Sequence, residues 1–419
     1  MTDSDLPLRN TTQKRCRREF LLAAGALSAL AGCLGVFDDD DRSLPEPATG
    51  TWSQSGHDPR NTAASDVIVP ERGTPAWNAG DATTIPPLVV GETVYSVGSD
   101  LRALESETGS HRWQVDLDSD SASATLTQPA VASGHVLLAS EGQLRAFDVE
   151  DGSELWTRQI DGAPLGPITV DSDGRMGIIP FERPVADEPV VELVAFTVSS
   201  GETEWTAPLL TSGRMTPPAL VDNRVYACGY TRDDTPIVRC LEANSGERVW
   251  ERELADPSTR PVATRDHIVI GDDGNLVIHG LVDGEQLTAI DVMGREIRAI
   301  AIEGETAFVL SSDGLFAVSM ADGSERWSVT GTPRPDGLAV GRNTVVVPIS
   351  SDTFDLDTSW PCIAAFGRND GSVQWYYAID DSFDPAIGAP PVIADGAVFA
   401  MSNTRSGITA LGNLPPEDS

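Results

Sequence analysis

The sequence predicts an all-β fold: an eight-bladed β-propeller of four-stranded antiparallel blades, its ring closed by pairing of the N- and C-terminal strands. Three observations predict it. A motif recurs with its glycine at positions 109, 152, 201, 246, 284, 323 and 371, an average of about 44 residues apart, the length of a four-stranded sheet with its turns. The stretches between these glycines alternate apolar and polar residues in short runs. An eighth unit is split between the two ends of the chain.

The motif is an apolar or small pair, four residues, glycine, three residues and tryptophan. It reads Ala103-Leu104 to Gly109 and Trp113, Ala146-Phe147 to Gly152 and Trp156, Ala195-Phe196 to Gly201 and Trp205, and Cys240-Leu241 to Gly246 and Trp250. A weaker copy runs from Leu276 to Gly284 and has Thr288 in the tryptophan position. The pattern returns at Ala317-Val318 to Gly323 and Trp327, then at Ala365-Phe366 to Gly371 and Trp375. Runs such as Thr93-Val94-Tyr95-Ser96-Val97 have the two-residue period of strands, and prolines 87, 129, 218 and 391 stand at the start of first strands, where no ladder donor is lost. Thr-Gly or Asp-Gly before the last strand supplies a tight turn, since glycine tolerates positive φ.

The chain runs out after Ala410-Leu411, before an eighth glycine and tryptophan. Thr74-Pro75-Ala76-Trp77-Asn78 supplies the missing outer strand, and closure removes open sheet edges. Recurring once per unit, Trp77, Trp113, Trp156, Trp205, Trp250, Trp327 and Trp375 are read as docking each sheet onto its neighbour. The propeller is expected to span 51–414, with a disordered tail at 415–419.

Residues 1–32 read as an export signal. A basic stretch precedes a short apolar run, and Arg17-Arg18-Glu19-Phe20-Leu21 resembles the twin-arginine motif through Arg17, Arg18, Phe20 and Leu21. Leu30-Ala31-Gly32-Cys33 resembles a lipobox, which makes Cys33 the lipidation site and places the mature protein on the outer face of the cytoplasmic membrane. Residues 33–50, with Asp38 to Asp41 and Pro45-Glu46-Pro47, are expected to form a flexible acidic tether.

Acids number 64 against 29 Lys and Arg, a formal charge of −35, which argues against nucleic acid as a partner. The only lysine is Lys14. A surface this acidic is tolerated where salt shortens the Debye length to about 3 Å, at roughly 1 M, which points to a halophile. Beyond the signal and the anchor remain Cys228, Cys240 and Cys362; the first two lie on adjacent strands of one hairpin, where a disulfide and two buried thiols are both compatible with the sequence. The five histidines are scattered without metal spacing, and Asp171-Ser172-Asp173-Gly174 and Asp272-Asp273-Gly274 read as turns between strands.

The repeat resembles that of the PQQ-like (pyrroloquinoline-quinone-like) propellers; Ala146-Phe147-Asp148 with Asp151-Gly152 and Trp156 is the best copy. The resemblance, of haloarchaeal lipoprotein type, implies either a quinone-dependent dehydrogenase or a non-catalytic envelope lipoprotein. The dehydrogenases of the family have a vicinal cysteine pair, a calcium site and a catalytic aspartate. No two cysteines are adjacent here, so neither catalytic residues nor a metal is assigned, and quinone with calcium is not expected as cofactor. The leading expectation is a monomeric, non-catalytic platform binding an envelope protein or glycan; the alternative is a dehydrogenase-like enzyme with an atypical quinone site. Insertions at 181–190, 231–236, 351–361 and 402–406 fall between second and third strands, hence on one face, and name Phe181, Arg183, Arg232, Phe354, Trp360 and Arg405 as the candidate binding surface.

Overall fold

A computed structural model describes residues 34–35, 42–79, 85–117, 126–140, 142–184, 190–211, 216–231, 233–292, 295–333, 337–354, 361–379, 387–402 and 407–415. The residues of the export motif, Cys33, Arg232, Trp360 and Arg405 lie outside these. Eight sheets are present. From their first strand to their last, blade 1 spans 88–116, blade 2 130–159, blade 3 169–211, blade 4 219–253, blade 5 262–291, blade 6 297–330 and blade 7 339–379. Blade 8 takes its three inner strands from 387–412 and its outer strand from 74–79, with Trp77 opposite Ala410. In blades 1 to 7 chain order runs from the axis outward.

Each outer strand carries a bulge just before its tryptophan, or before Thr288 in blade 5. In blade 1 the register shifts between Ala103 and Leu104, opposite Trp113, and the shift recurs at the same place in blades 2 to 7. Such a bulge bends the strand and raises its twist, which aims the indole out of its own sheet. Trp77 Nε1 donates to Ser106 O at 3.0 Å, Trp113 to Val149 O at 3.0 Å, Trp156 to Val198 O at 3.0 Å and Trp205 to Ala243 O at 2.7 Å. Trp250 reaches Leu281 O at 3.1 Å, Trp327 Arg368 O at 3.0 Å and Trp375 Pro70 O at 2.7 Å.

Every acceptor belongs to the next blade and lies three residues before a glycine whose bare Cα supports the indole. A Cβ on Gly109 would stand 2.7 Å from the Trp77 ring, and one on Gly152 2.6 Å from Trp113. Gly73, ahead of the outer strand of blade 8, receives Trp375 in the same way, so the N-terminal segment completes two interfaces. Burying an indole this far removes a large apolar area while its N–H keeps a partner, which is the arrangement that makes tryptophan stabilising.

One expectation is corrected here and one open alternative is decided. Residues 42–50 are not a free tether: Leu44 is buried, its N–H donates to Glu107 O at 2.8 Å, and 50–52 form a fifth strand on the inner edge of blade 1. Their few apolar side chains and their backbone groups find partners on the ring. Cys228 and Cys240 form no bridge: Cys228 pairs with Val238 and Cys240 with Tyr226, so the two thiols are diagonal and free. Diagonal cross-strand positions lie about 7–8 Å apart, beyond disulfide reach.

Candidate functional site: the axis of the ring

Eight innermost strands surround the axis, and residues 49–69 wind once around it. The segment meets the blades in order. Thr49 O accepts from Asp395 N of blade 8 at 2.8 Å, 50–52 pair with blade 1, and Ser53 O accepts from Val131 N of blade 2 at 2.7 Å. Gln54 grips Val170 of blade 3 with both ends of its amide, at 2.6 and 3.2 Å. Pro59 O accepts from Leu220 N of blade 4, Arg60 O from Ala263 N of blade 5, Thr62 O from Ile302 N of blade 6 and Ala63 O from Val340 N of blade 7, all within 2.6–3.0 Å. The circuit closes on blade 8, where Ile68 O accepts from Gly396 N.

Winding this tightly needs backbone that few residues adopt. His57, Asn61 and Ala63 have φ of 76°, 60° and 51°, and Gly56 has 73°. Asn61 tolerates its conformation and is fully buried, its amide N–H groups facing the carbonyls of Pro217, Pro218 and Pro261, each at 3.1 Å. Ser53, Gln54 and the stretch Pro59-Arg60-Asn61-Thr62-Ala63 are thus plugs for backbone groups of the innermost strands that would otherwise face the channel unpaired, while Gly56 and Asp58 hold the turn itself by bonding Ala63 N and Thr62 N.

The segment crosses near the trailing ends of the innermost strands and leaves a cup of about 240 Å³ at their leading ends. Trp52, Ser55 and Gly56 form its floor, and Leu338, Pro391 and Val392 part of its wall. Two arginines face it. Arg260 Nη1 donates to Ser55 Oγ at 3.4 Å, and Arg298 lies 3.8 Å from Glu296. Burial pulls the Arg260 guanidinium down to about 10, opposed by nearby Asp58, so it stays charged near neutral pH. Two guanidinium groups against apolar walls can neutralise a small anion in a chain that is otherwise strongly acidic.

Strand alternation puts this cup on the same face as the four insertions. Among the residues expected to present that face, Phe181 is 1% exposed and belongs to the core of blade 3, which corrects its assignment: it stands at an inward position of the strand 176–183, not in the loop that follows. Arg183 at the end of that strand is exposed and pairs with Glu192 at 2.6 Å. Phe354 stacks on Tyr376 at 4.3 Å and is half-buried, so it fastens its loop to blade 7. The axial segment itself escaped sequence reasoning, although its concentration of Ser, Gly, Asn, Asp and Pro without alternation marks a non-strand stretch rich in left-handed-tolerant residues.

The family model for the outer membrane protein assembly factor BamB matches residues 63–293 and 234–414. The chain belongs to this family. Among solved structures, BamB from Moraxella catarrhalis is similar at 14% identity, over 83% of this chain and 99% of that one, with a TM-score of 0.54. A quinohemoprotein alcohol dehydrogenase from Pseudomonas putida matches at 12% identity over 88% and 81%, TM-score 0.62, and the computationally designed Ika8 protein at 15% over 83% and 100%, TM-score 0.60. At such identities these likenesses speak for the fold alone. No curated protein matches the sequence.

Among the described residues no three His, Cys, Asp or Glu side chains converge to hold a metal ion. The thiols of Cys228, Cys240 and Cys362 are all buried. Asp171 and Asp272 are committed to backbone: Asp171 Oδ1 caps Arg175 N and Met176 N, and Asp272 accepts from Ala255 N and Asp256 N.

Proposed function

We propose that this BamB-family propeller is a non-catalytic binding platform for envelope proteins or glycans, exported by the twin-arginine route and held by lipid at Cys33 on the outer face of the cytoplasmic membrane. The observation that carries the reading is the axial segment: the chain spends residues 49–69 on filling its own channel, bonding to all eight blades, and what stays open is a shallow cup within a broad face. Such a face suits recognition over an area, with a cup that admits one anionic group. The acidic surface favours a partner that works at high salt, where long-range repulsion is screened and short-range contact decides.

The test has two arms. Purified protein is titrated with pyrroloquinoline quinone and calcium and followed by absorbance; the expected result is no saturable uptake, and stoichiometric uptake overturns the reading in favour of a dehydrogenase-like enzyme. Crosslinking in membranes, followed by affinity capture, is expected to return a defined envelope component. Cys33→Ser, followed by cell fractionation, should separately release the protein from membranes.

A further inference from the structure

Seven of the eight blade interfaces are locked by an indole, and the eighth is not. Blade 5 carries Thr288 where the others carry tryptophan, and Thr288 is exposed. The receiving side, on blade 6, is nonetheless built like the rest. Gly323 has φ of 72°, within the 67–72° range of Gly109, Gly152, Gly201, Gly246, Gly284 and Gly371. Met320 stands three residues before it, and its N–H donates to Glu305 O at 2.9 Å, as Ser106 N donates to Glu92 O and Arg368 N to Asn343 O at 3.0 and 2.9 Å. The Met320 carbonyl is therefore set as an indole acceptor, and none of the seven indoles reaches it.

Bulk has moved beneath the gap without covering it. The third-strand residue opposite the tryptophan is Ala in six blades and Cys240 in blade 4, but Ile278 in blade 5. Over Gly323 itself the nearest atom is Ile290 Cγ2, 3.2 Å from where a Cβ would be, against 2.5–2.7 Å for the indole atoms at the six equivalent glycines. A groove of about 520 Å³ opens there, where Ile278, Leu287, Thr288, Ile302 and Met320 meet the charged Arg265, Asp266, Glu303 and Glu305. The corresponding groove between blades 3 and 4 is similar in size, about 480 Å³, and has a similarly mixed lining, but there Trp205 occupies the indole position.

One apolar side chain stands open at the socket: Leu287, which lines the groove, is 54% exposed, whereas Val282, 81% exposed, and Val249 lie together at the neighbouring cleft between blades 4 and 5.

We propose that the cleft between blades 5 and 6 is a docking socket for a tryptophan presented by a partner protein. The occupant is named by the chain's own seven copies of the socket: a glycine face that takes the flat ring and a carbonyl three residues earlier that takes its N–H. The inference deepens the platform reading by giving one partner-binding surface and its chemistry, on the face opposite the axial cup.

The test uses the full chain with N-acetyl-tryptophanamide as probe, read by the NMR signal of the Met320 methyl group at high salt. A saturable shift of Met320, with the Met176 and Met401 methyls unmoved, is expected at probe concentrations up to about 10 mM. The double variant Thr288→Trp/Ile278→Ala fills the socket from inside and leaves room beneath the new ring; it is expected to weaken the probe about tenfold or more and to raise the unfolding midpoint. Thr288→Ala, which keeps the socket open, should bind the probe as the parent does. An unmoved Met320 signal, or an equal shift in the folded double variant, overturns the proposal. So does self-association in sedimentation equilibrium that the double variant abolishes, since the occupant is then a second copy. If the double variant still crosslinks the same envelope component in membranes, the socket fails and the platform reading stands.

Discussion

Trp77→Ala tests how much of the ring depends on its closing tryptophan. The side chain is 1% exposed, packs at 5.8 Å from the Phe399 ring, covers Gly109 and donates to Ser106 O at 3.0 Å. Truncating a buried tryptophan costs about 3–5 kcal/mol, and that figure includes an orphaned carbonyl worth about 1–3 kcal/mol. Against a typical total of about 5–15 kcal/mol, this is a large fraction. Because Trp77 sits on the strand that joins the chain's two ends, the loss should fall mainly on the unfolding rate; about 3 kcal/mol corresponds to roughly two orders of magnitude. Guanidinium unfolding followed by circular dichroism, at equilibrium and after rapid dilution, measures both. Thr288→Ala is the control at the same blade position and should cost less than about 1 kcal/mol, as exposed substitutions do. Equal losses in the two variants, or a Trp77→Ala loss below about 1 kcal/mol, would refute the reasoning.

Asn61→Ala removes the donor shared by three proline carbonyls and puts a Cβ-bearing residue with no compensating hydrogen bond at φ 60°, so a stability loss of about 2–4 kcal/mol is expected in the same unfolding assay. His279 is held below its ordinary value by burial, although its Nδ1–H donates to Gly284 O at 3.0 Å. The unfolded chain therefore takes up this proton first as pH falls, so stability should be level above about pH 6.5 and decline below it. His279→Asn, which keeps a donor to Gly284, should flatten that part of the profile measured between pH 5 and 7.5; an unchanged slope would assign it to carboxylates. Burial pushes the Cys240 thiol up to about 11 and that of Cys228 higher still. Cys228, Cys240 and Cys362 should thus resist a thiol-reactive chromophore until denaturant is added, and the protein's mass should not change on reduction.

Blade number and closure were legible because each rests on a local signal repeated many times: glycine at a turn, tryptophan four residues on, strand-period alternation between. Trp77 could be placed by the same rule from only five residues, since the missing outer strand had a unique partner. What escaped depends on contacts between distant positions. Phe181 looks like a loop residue until the strand 176–183 proves one to two residues longer than the second strands of the flanking blades, which turns it inward. Cys228 and Cys240 share a hairpin, but whether they are opposite or diagonal depends on the pairing of Tyr226 with Cys240, and one residue of register decides it. Residues 53–69 have no period to detect, because each is shaped to a different blade. The empty tryptophan position at Thr288 was visible as a weak copy, yet only the intact turn at Met320–Gly323 gives it meaning.

The axial segment also fixes an order of events. From Ser53 onward its bonds reach progressively further along the chain: Gln54 spans 116 residues to Val170, Asn61 spans 157 to Pro218 and Ile68 spans 327 to Asp395. Residues made first by the ribosome are therefore among the last to find their places, because their final partner does not exist until blade 8 is assembled. Separations of this size slow folding, since distant segments must meet before any contact rewards them. A chain stopped short of residue 395 leaves this belt open at both ends, since Thr49 and Ile68 both bond to Asp395, so the same few residues that fill the channel report whether synthesis was completed.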